Sequence, residues 1–254
     1  LIVYHTNNSN FRDINSSYNY YGIYLDYSSS NTLQNVTANS NSDDGIYLRS
    51  SSSNTLQNVT ANSNSRYGIY LYYSSSNNTL QNITANSNSD DGIRLYLSSS
   101  NTLQNITANS NSWYGIYLYY SSSNTIQEIT ANSNSRYGIY LYYSSSNTLQ
   151  EITVQENQYF DIYFSLSSPS DCNNILQNVT GSGDRPIEYY NYSVNLENKT
   201  FSELILCNAS NSNITNITIK GSDTYKNNGL IVYHTNNSNF RDINSSYNYY
   251  GIYL

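Results

Sequence analysis

The sequence predicts an all-β fold in which one parallel β-solenoid, with three short strands per coil, runs through the whole chain. Two observations lead to this prediction: a motif of about 23 residues recurs along the chain, and apolar residues alternate with outward residues inside each copy. Composition agrees, because 31 Tyr residues stand among many Asn, Ser and Thr residues, while charged residues make up only 11%. A short repeat of such β-forming residues is typical of stacked strands rather than of helical pairs.

The repeated motif, NTLQNxTANSNSxxGIYLxxSSS or a close variant, defines the coil. It begins at six nearly evenly spaced positions, which are Asn31, Asn54, Asn78, Asn101, Asn124 and Asn147. Alternate side chains of a strand point to opposite faces, so Ile46 and Leu48 point inward and Tyr47 points outward. The segment VTA repeats this pattern, and Leu33 supplies the inward residue of a third strand. The turn QN and the bends rich in Ser and Asn join these strands into a triangular coil.

Stacking places each inward residue about 4.8 Å from its equivalent in the next coil. We therefore predict two buried ladders, because no coil can bury its apolar residues alone. One ladder consists of Leu33, Leu56, Leu80, Leu103, Ile126 and Leu149, and the other consists of Ile46, Ile69, Ile93, Ile116, Ile139 and Ile162.

A second, longer repeat is present, because residues 230–254 match residues 1–25 letter for letter. The long period runs from Leu1 to Gly229, and we interpret 230–254 as the start of the next period. We expect residues 1–254 to form one continuous solenoid of about ten coils per long period. Copies of the period are then expected to stack head to tail, an arrangement that does not close.

The short period breaks between Asn174 and Asn211. We predict that residues 181–198 form a protruding loop in this irregular segment. Cys172 and Cys207 flank the loop and are the only two cysteines. A disulfide that pins the loop to the column and a pair of free thiols both remain open.

Outward aromatic residues are predicted to form two columns. One contains Tyr47, Tyr70, Tyr117 and Tyr140 and is interrupted by Arg94, and the other contains Tyr72, Tyr96, Tyr119 and Tyr142. The columns can reflect only the strand propensity of Tyr and its favourable pairing with itself. The functional alternatives are an aromatic platform for sugar, a lateral contact between fibres, and a path for charge hopping.

The two positions before each Gly alternate in charge from coil to coil. Asp43 and Asp44 lie one coil from Arg66, and Asp90 and Asp91 lie one coil further. Paired carboxylates attract Ca²⁺, but the two pairs are two coils, roughly 9.6 Å, apart and cannot share an ion. An exposed ladder of salt bridges is the simpler interpretation. We predict no metal site and no cofactor.

Sequons for N-glycosylation favour an extracellular glycoprotein. They include Asn7, Asn58, Asn105, Asn191, Asn198 and Asn208. At the QN turn the same Asn residues can instead form a hydrogen-bonded amide ladder, and this alternative stays open. The net charge of −7, without a basic cluster, argues against a nucleic-acid partner, and no apolar run reaches the length of a membrane span.

The units NTLQNITANSNSxxGIYLYYSSSN and the segment RPIEYYNYSVNLENKTFSELILCNASNSNITNITI resemble the NosD-like proteins. The resemblance implies a single right-handed parallel β-solenoid of the pectate-lyase type, common on archaeal and especially methanogen cell surfaces. Such proteins serve in copper-enzyme maturation, in carbohydrate binding and cleavage, and in surface-layer or adhesin roles. The clustered carboxylates and adjacent Arg or Lys of polysaccharide lyases have no match in the repeat, so no catalytic residue is carried over.

We expect a structural extracellular protein that forms a cell-surface fibre, sheath or surface-layer component. We expect no enzyme, because catalysis needs a unique constellation and this surface repeats itself in coil after coil. The expected partners are copies of the same chain, head to tail and side by side, together with glycans. The alternative is a carbohydrate-binding or polysaccharide-processing β-helix protein. A remote alternative is ice binding through the column Thr37, Thr60, Thr84, Thr107 and Thr130.

Overall fold

Each copy of the repeat contributes two strands, one from GIYL and one from TLQNxT. In the computed structural model, which describes residues 1–254, these strands wind into an all-β right-handed parallel β-solenoid of about 11 turns. The only helical segments are two 3-10 turns, Pro169–Cys172 and Ser182–Asp184. The predicted fold class is confirmed.

The first eight coils form two parallel sheets. Sheet A contains β1 (Ile2–Tyr4), β3 (Ile23–Asp26), β5 (Ile46–Arg49), β7 (Ile69–Tyr72), β9 (Ile93–Tyr96), β11 (Tyr114–Tyr119), β13 (Tyr137–Tyr142) and β15 (Phe160–Ser165). Sheet B contains β2 (Asn10–Asn15), β4 (Thr32–Thr37), β6 (Thr55–Thr60), β8 (Thr79–Thr84), β10 (Thr102–Thr107), β12 (Thr125–Thr130), β14 (Thr148–Thr153) and β16 (Ile175–Gly181). Equivalent residues of successive coils are paired, so the sequence period sets the register.

The two short strands predicted on either side of QN form one bent strand in each coil. In β4 the bend lies at Asn35, whose φ of 56° is in the left-handed region. Gln34 pairs with Gln57 and Val36 pairs with Val59, so pairing continues on both sides of the bend. Asn tolerates the left-handed conformation better than most residues, which explains its recurrence at this position.

The interior of sheets A and B is a narrow apolar column. All twelve residues of the two predicted ladders are fully buried, and they belong to one core of 40 residues. Close packing of the coils also explains the Gly before each core strand. A Cβ added to Gly68 would lie 2.6 Å from the carbonyl oxygen of Gly92, too close for any side chain.

Buried Asn side chains satisfy the backbone at the bends. Asn64 donates both its backbone N–H and its Nδ2 to Oδ1 of Asn88, at 3.0 and 3.1 Å. Asn88 makes the same two bonds with Asn111 in the next coil. Since an unpaired buried polar group is costly, these ladders allow an interior bend to be repeated in coil after coil.

The last part of the chain forms a second, smaller stack. Sheet C contains β17 (Arg185–Tyr190), β19 (Glu203–Cys207), β21 (Asn227–Tyr233) and β23 (Asn248–Tyr253), and sheet D contains β18 (Asn195–Phe201), β20 (Asn213–Lys220) and β22 (Asn239–Ser246). The parallel ladder is interrupted where β17 pairs with β16 in the antiparallel direction, through Thr180–Pro186 and Gly181–Arg185.

Sheet C is buried on both faces. Ile205 and Ile231 pack into the 40-residue core, whereas Leu204 and Leu230 pack into a separate core of nine residues. The sheet therefore lies over the end of the first stack while it forms a wall of the second. The regular stacking predicted from the repeat is interrupted here, because the irregular segment turns the chain back after β16.

Residues 181–198 differ from the protruding loop that the broken period predicts. They contain β17 and the first part of β18. Ile187 and Tyr189 are buried in the larger core, and the Tyr189 hydroxyl donates to the carbonyl oxygen of Cys172 at 3.0 Å. Its apolar residues alternate as in a strand but do not follow the repeat motif. They therefore place β17 in sheet C, which packs on the larger core.

Candidate functional site

The outer face of sheet A carries tyrosine columns, because every second residue of its strands points outward. In the first column the ring centroids of Tyr47 and Tyr70 are 5.2 Å apart, and those of Tyr117 and Tyr140 are 4.8 Å apart. Arg94 stands between these two pairs. The second column, Tyr72, Tyr96, Tyr119 and Tyr142, has neighbouring centroids 4.7 to 5.3 Å apart.

A third column, which the sequence analysis missed, lies where each strand of sheet A ends. Its members have positive φ and their backbone N–H groups donate to the neighbouring coil. They are His5, Tyr27, Ser50, Tyr73, Leu97, Tyr120 and Tyr143. The bulky residues Tyr27 and Tyr73 are about half exposed in this left-handed conformation. This backbone conformation is uncommon for aromatic residues, and it recurs here in every coil because the bonds to the neighbouring coil hold it.

The basic residues of the first stack concentrate on the same face. Every basic residue between Asp13 and Asp184 lies here, namely Arg49, Arg66, Arg94 and Arg136. The Arg66 guanidinium lies 4.7 Å from the Tyr67 ring centroid, and Arg136 lies 4.2 Å from that of Trp113. The face thus combines cations with aromatic rings.

Arg94 is the centre of the most connected group, which we call the Arg94 cluster and define as Tyr67, Asp90, Asp91 and Arg94. Arg94 Nη1 donates to the Tyr67 hydroxyl oxygen at 2.6 Å and lies 3.7 Å from Asp91 Oδ2. Its Cζ lies 4.9 Å from the Tyr117 ring centroid. Arg94 Nε is buried and has no hydrogen-bond partner. The guanidinium is therefore held in place, with its Nε closed to solvent and 19% of the side chain still exposed.

Two buried carboxyl groups lie beneath this face. Asp91 is fully buried, and one of its oxygens accepts the backbone N–H of Tyr114 at 3.3 Å. Burial raises the pKa of Asp91 to about 7, although the Arg94 charge opposes this shift. Burial and then the charge of Asp43 raise the pKa of Asp44 to about 7. Both carboxyl groups therefore change charge near neutral pH.

Asp90 is the accessible carboxyl group of the Arg94 cluster. Partial burial raises its pKa, while the charges of Arg66 and Arg94 act in the opposite direction. A half-buried carboxylate beside two guanidinium groups can accept a proton from a bound molecule. The cluster as a whole can bind an anion and transfer a proton next to it.

The four aspartates singled out as a weak metal candidate do not gather around one point. Asp43 Oδ1 lies 3.6 Å from Arg66 Nη1, and Asp91 pairs with Arg94. No group of three or more His, Cys, Asp or Glu residues is arranged to hold a metal ion.

Cys172 and Cys207 form a disulfide, which links the end of the first stack to sheet C.

The sequon residues Asn58 and Asn105 belong to an exposed amide ladder. Asn58 Nδ2 donates to Asn35 Oδ1 at 3.1 Å, and Asn105 Nδ2 donates to Asn82 Oδ1 at 2.9 Å. Because this nitrogen would carry a glycan, glycosylation competes with the ladder at these positions.

The other sequon residues lie outside this exposed amide ladder. Asn7, Asn198 and Asn208 are exposed, and Asn191 is partly exposed.

The threonine column considered for ice binding is partly buried on sheet B. None of the helical segments is long and apolar enough to cross a membrane.

Comparison with known proteins identifies the architecture. The family described as "Right handed beta helix region" matches residues 1–159 and 73–201. No curated protein matches the sequence. Among solved structures, the periplasmic alginate epimerase AlgG has a TM-score of 0.62 at 16% identity, over 92% of this chain and 50% of that chain.

Two other solved structures are similar. The A-module of the Azotobacter vinelandii mannuronan C-5 epimerase AlgE6 has a TM-score of 0.58 at 16% identity, over 92% of this chain and 58% of that chain. The catalytic domain of a GH87 α-1,3-glucanase in complex with nigerose has a TM-score of 0.57 at 14% identity, over 96% and 61%. At these identities the likeness shows the fold alone, and this chain spans only part of their length.

These comparisons correct one sequence prediction, that the chain is not an enzyme. Solved structures of the same fold are named as epimerases and as the catalytic domain of a glucanase. The prediction was wrong because it took a regularly repeated surface to exclude catalysis. In this chain, single departures from the motif, above all GIRL in place of GIYL at Arg94, bring dissimilar side chains together. Those departures were the signal available in the sequence.

Proposed function

Because the chain belongs to the right-handed β-helix family, we propose that it binds and processes an acidic polysaccharide on the outer face of sheet A. The observation that carries the proposal is the Arg94 cluster, a fixed and partly exposed guanidinium beside a half-buried carboxyl group. Similar folds named as alginate and mannuronan epimerases also support an acidic polymer. The polymer would lie along the solenoid axis, across successive coils.

Recognition of such a polymer follows from the groups on this face. Guanidinium groups form strong, often bidentate hydrogen bonds with carboxylates. Aromatic rings provide apolar faces against which the C–H groups of a pyranose ring pack. The pKa of about 7 for both Asp44 and Asp91 reduces the negative charge beneath the face at neutral pH. An anionic polymer is therefore less strongly repelled there than the net charge of −7 suggests.

The chemistry proposed is removal of the proton on the sugar carbon that bears the carboxylate. Arg94 binds the carboxylate and stabilises the negative charge that develops there. Asp90 accepts the proton, and Asp91 positions Arg94 from below. Return of a proton from water to the opposite face of the carbon gives epimerisation, whereas breakage of the bond to the neighbouring glycosidic oxygen, which takes a proton from water, gives elimination and a carbon–carbon double bond. Both outcomes begin with the same proton transfer.

The test uses oligomannuronate in deuterated water. NMR detects exchange of the proton next to the carboxylate, and ultraviolet absorbance detects the unsaturated product of elimination. We expect Arg94→Gln to lower turnover by about 100-fold or more. The control Arg241→Gln, at an exposed arginine on sheet D, should leave turnover unchanged. Equal turnover by wild type and Arg94→Gln, or turnover only of a neutral α-1,3-glucan, would refute the proposal.

We further propose that the protein acts outside the cytoplasm. Its disulfide supports this location, since disulfides persist in oxidising compartments. The exposed sequons and the similarity to a periplasmic epimerase also support it. The narrower NosD-like resemblance, an archaeal cell surface, and the head-to-tail and side-by-side assembly of copies stay predictions from the sequence.

A further inference from the structure

One coil departs twice from the repeat on the outer face of sheet A. The usual GIYLYYSSS reads GIYLRSSSS at residues 45–53. Arg49 therefore takes a place in the second column, where the next coil has Tyr72. Ser50 takes a place in the third column, between Tyr27 and Tyr73. The coil thus loses two aromatic rings and gains one cation.

The missing ring at Ser50 leaves a slot in the third column. A cavity of about 260 Å³ is lined by Tyr27, Arg49, Ser50, Tyr72 and Tyr73. Pockets for drug-sized ligands start at roughly 300 Å³, so this slot suits a smaller group such as one sugar ring. Tyr27 and Tyr73 are two coils apart, roughly 9.6 Å, which leaves one coil's width between their rings.

The walls of the slot are fixed by hydrogen bonds between coils. The backbone N–H of Tyr27 donates to the carbonyl oxygen of Arg49 at 3.1 Å, and that of Ser50 donates to Tyr72 at 3.1 Å. Ser50 Oγ donates to the carbonyl oxygen of Tyr73 at 3.2 Å. The positive φ of Tyr27 and Tyr73, 46° and 51°, is retained because the neighbouring coils hold the backbone on both sides.

Arg49 supplies the charge of the slot. Its side chain is 44% exposed, its Cζ lies 5.7 Å from the Tyr27 ring centroid, and its Nη1 lies 3.7 Å from Asp26 Oδ2. An ion pair at this distance and exposure is weak, so the guanidinium keeps donors for a ligand. The third column is also interrupted at Leu97, but there the second column holds Tyr96 in place of an arginine.

We propose that this slot is a subsite for one carboxylate-bearing sugar residue, with the pyranose ring between Tyr27 and Tyr73 and the carboxylate on Arg49. The inference rests on the proposed function, because it adds a second contact for the same acidic polymer. The slot lies on the same outer face as Arg94, two coils or roughly 9.6 Å along the axis. A polymer along the axis therefore reaches both sites.

The test measures binding of a mannuronate hexasaccharide and of neutral mannohexaose by titration calorimetry. Ser50→Tyr fills the slot with the residue that the third column carries in other coils, so folding should be preserved. Arg49→Gln removes the charge and leaves the rings. We expect both variants to bind the acidic hexasaccharide at least about ten-fold more weakly than wild type. Arg49→Gln should also reduce the preference for the acidic over the neutral sugar, while Ser50→Tyr weakens binding of both sugars.

The matched control is Leu97→Tyr, which adds a ring to the same column at the gap without a cation and should bind like wild type. Circular dichroism and the melting temperature of each variant report on folding. If Ser50→Tyr and Arg49→Gln bind like wild type while Arg94→Gln binds more weakly, the subsite is refuted and the proposed function stands. If wild type binds neither hexasaccharide, both proposals are refuted.

Discussion

Replacement of Asp91 by Asn should stabilise the protein at pH 8 and leave its stability at pH 4 nearly unchanged. Asp91 is fully buried, and one of its oxygens has no hydrogen-bond donor. Asn has nearly the same shape and carries no charge. The variant therefore removes the cost of burying a carboxylate and retains the hydrogen bond from Tyr114.

The size of this effect follows from the raised pKa. Burial moves the pKa of Asp91 from 3.8 to about 7 in the folded protein. Below about pH 4 the carboxyl group is protonated in both states, so it contributes no difference. As pH rises towards 7 the unfolded chain loses the proton and the folded protein keeps it, so stability falls. A shift of about 3 pH units at 1.36 kcal/mol per unit gives about 4 kcal/mol above pH 7.

Urea denaturation of wild type and Asp91→Asn at pH 4 and pH 8 measures this difference. Asp44 and Asp161, whose pKa values burial raises to about 7 and about 6, remain in both proteins, so the comparison isolates Asp91. Asp13→Asn is the control, because Asp13 is exposed and its replacement should change stability by under about 0.5 kcal/mol at either pH. An equal stability difference at both pH values would refute this reasoning.

Two further predictions concern the stack itself. Leu103→Ala should lower the free energy of unfolding by about 2 to 5 kcal/mol in urea denaturation, because Leu103 is fully buried, whereas Thr102→Ala beside it should cost under about 1 kcal/mol. Equal losses would contradict the assigned faces of β10. Replacing Cys172 and Cys207 with Ser opens a link between residues 35 apart and should cost about 2 to 4 kcal/mol. Reductant should lower the melting temperature of wild type and not that of the double variant; equal responses would contradict this prediction.

The sequence by itself determined the fold of the first eight coils. A regular short period with alternating apolar positions permits one register only, because a slip of one residue would turn Ile46 and Leu48 outward. The core ladders and the order of the two tyrosine columns follow from that register. The sequence did not reveal the buried Asn ladders, because the identity of a polar residue at a bend does not show whether its side chain points inward or outward.

The tertiary structure decided the rest. The chain turns back after β16 because Ile205 and Ile231 find a buried surface on the end of the first stack, a long-range contact that no local pattern encodes. The Arg94 cluster and the slot at Ser50 likewise depend on which residues from different coils become neighbours. The sequence shows each departure from the repeat motif separately. Only burial and the distances between coils determine whether such a residue is a lone surface charge or part of a site.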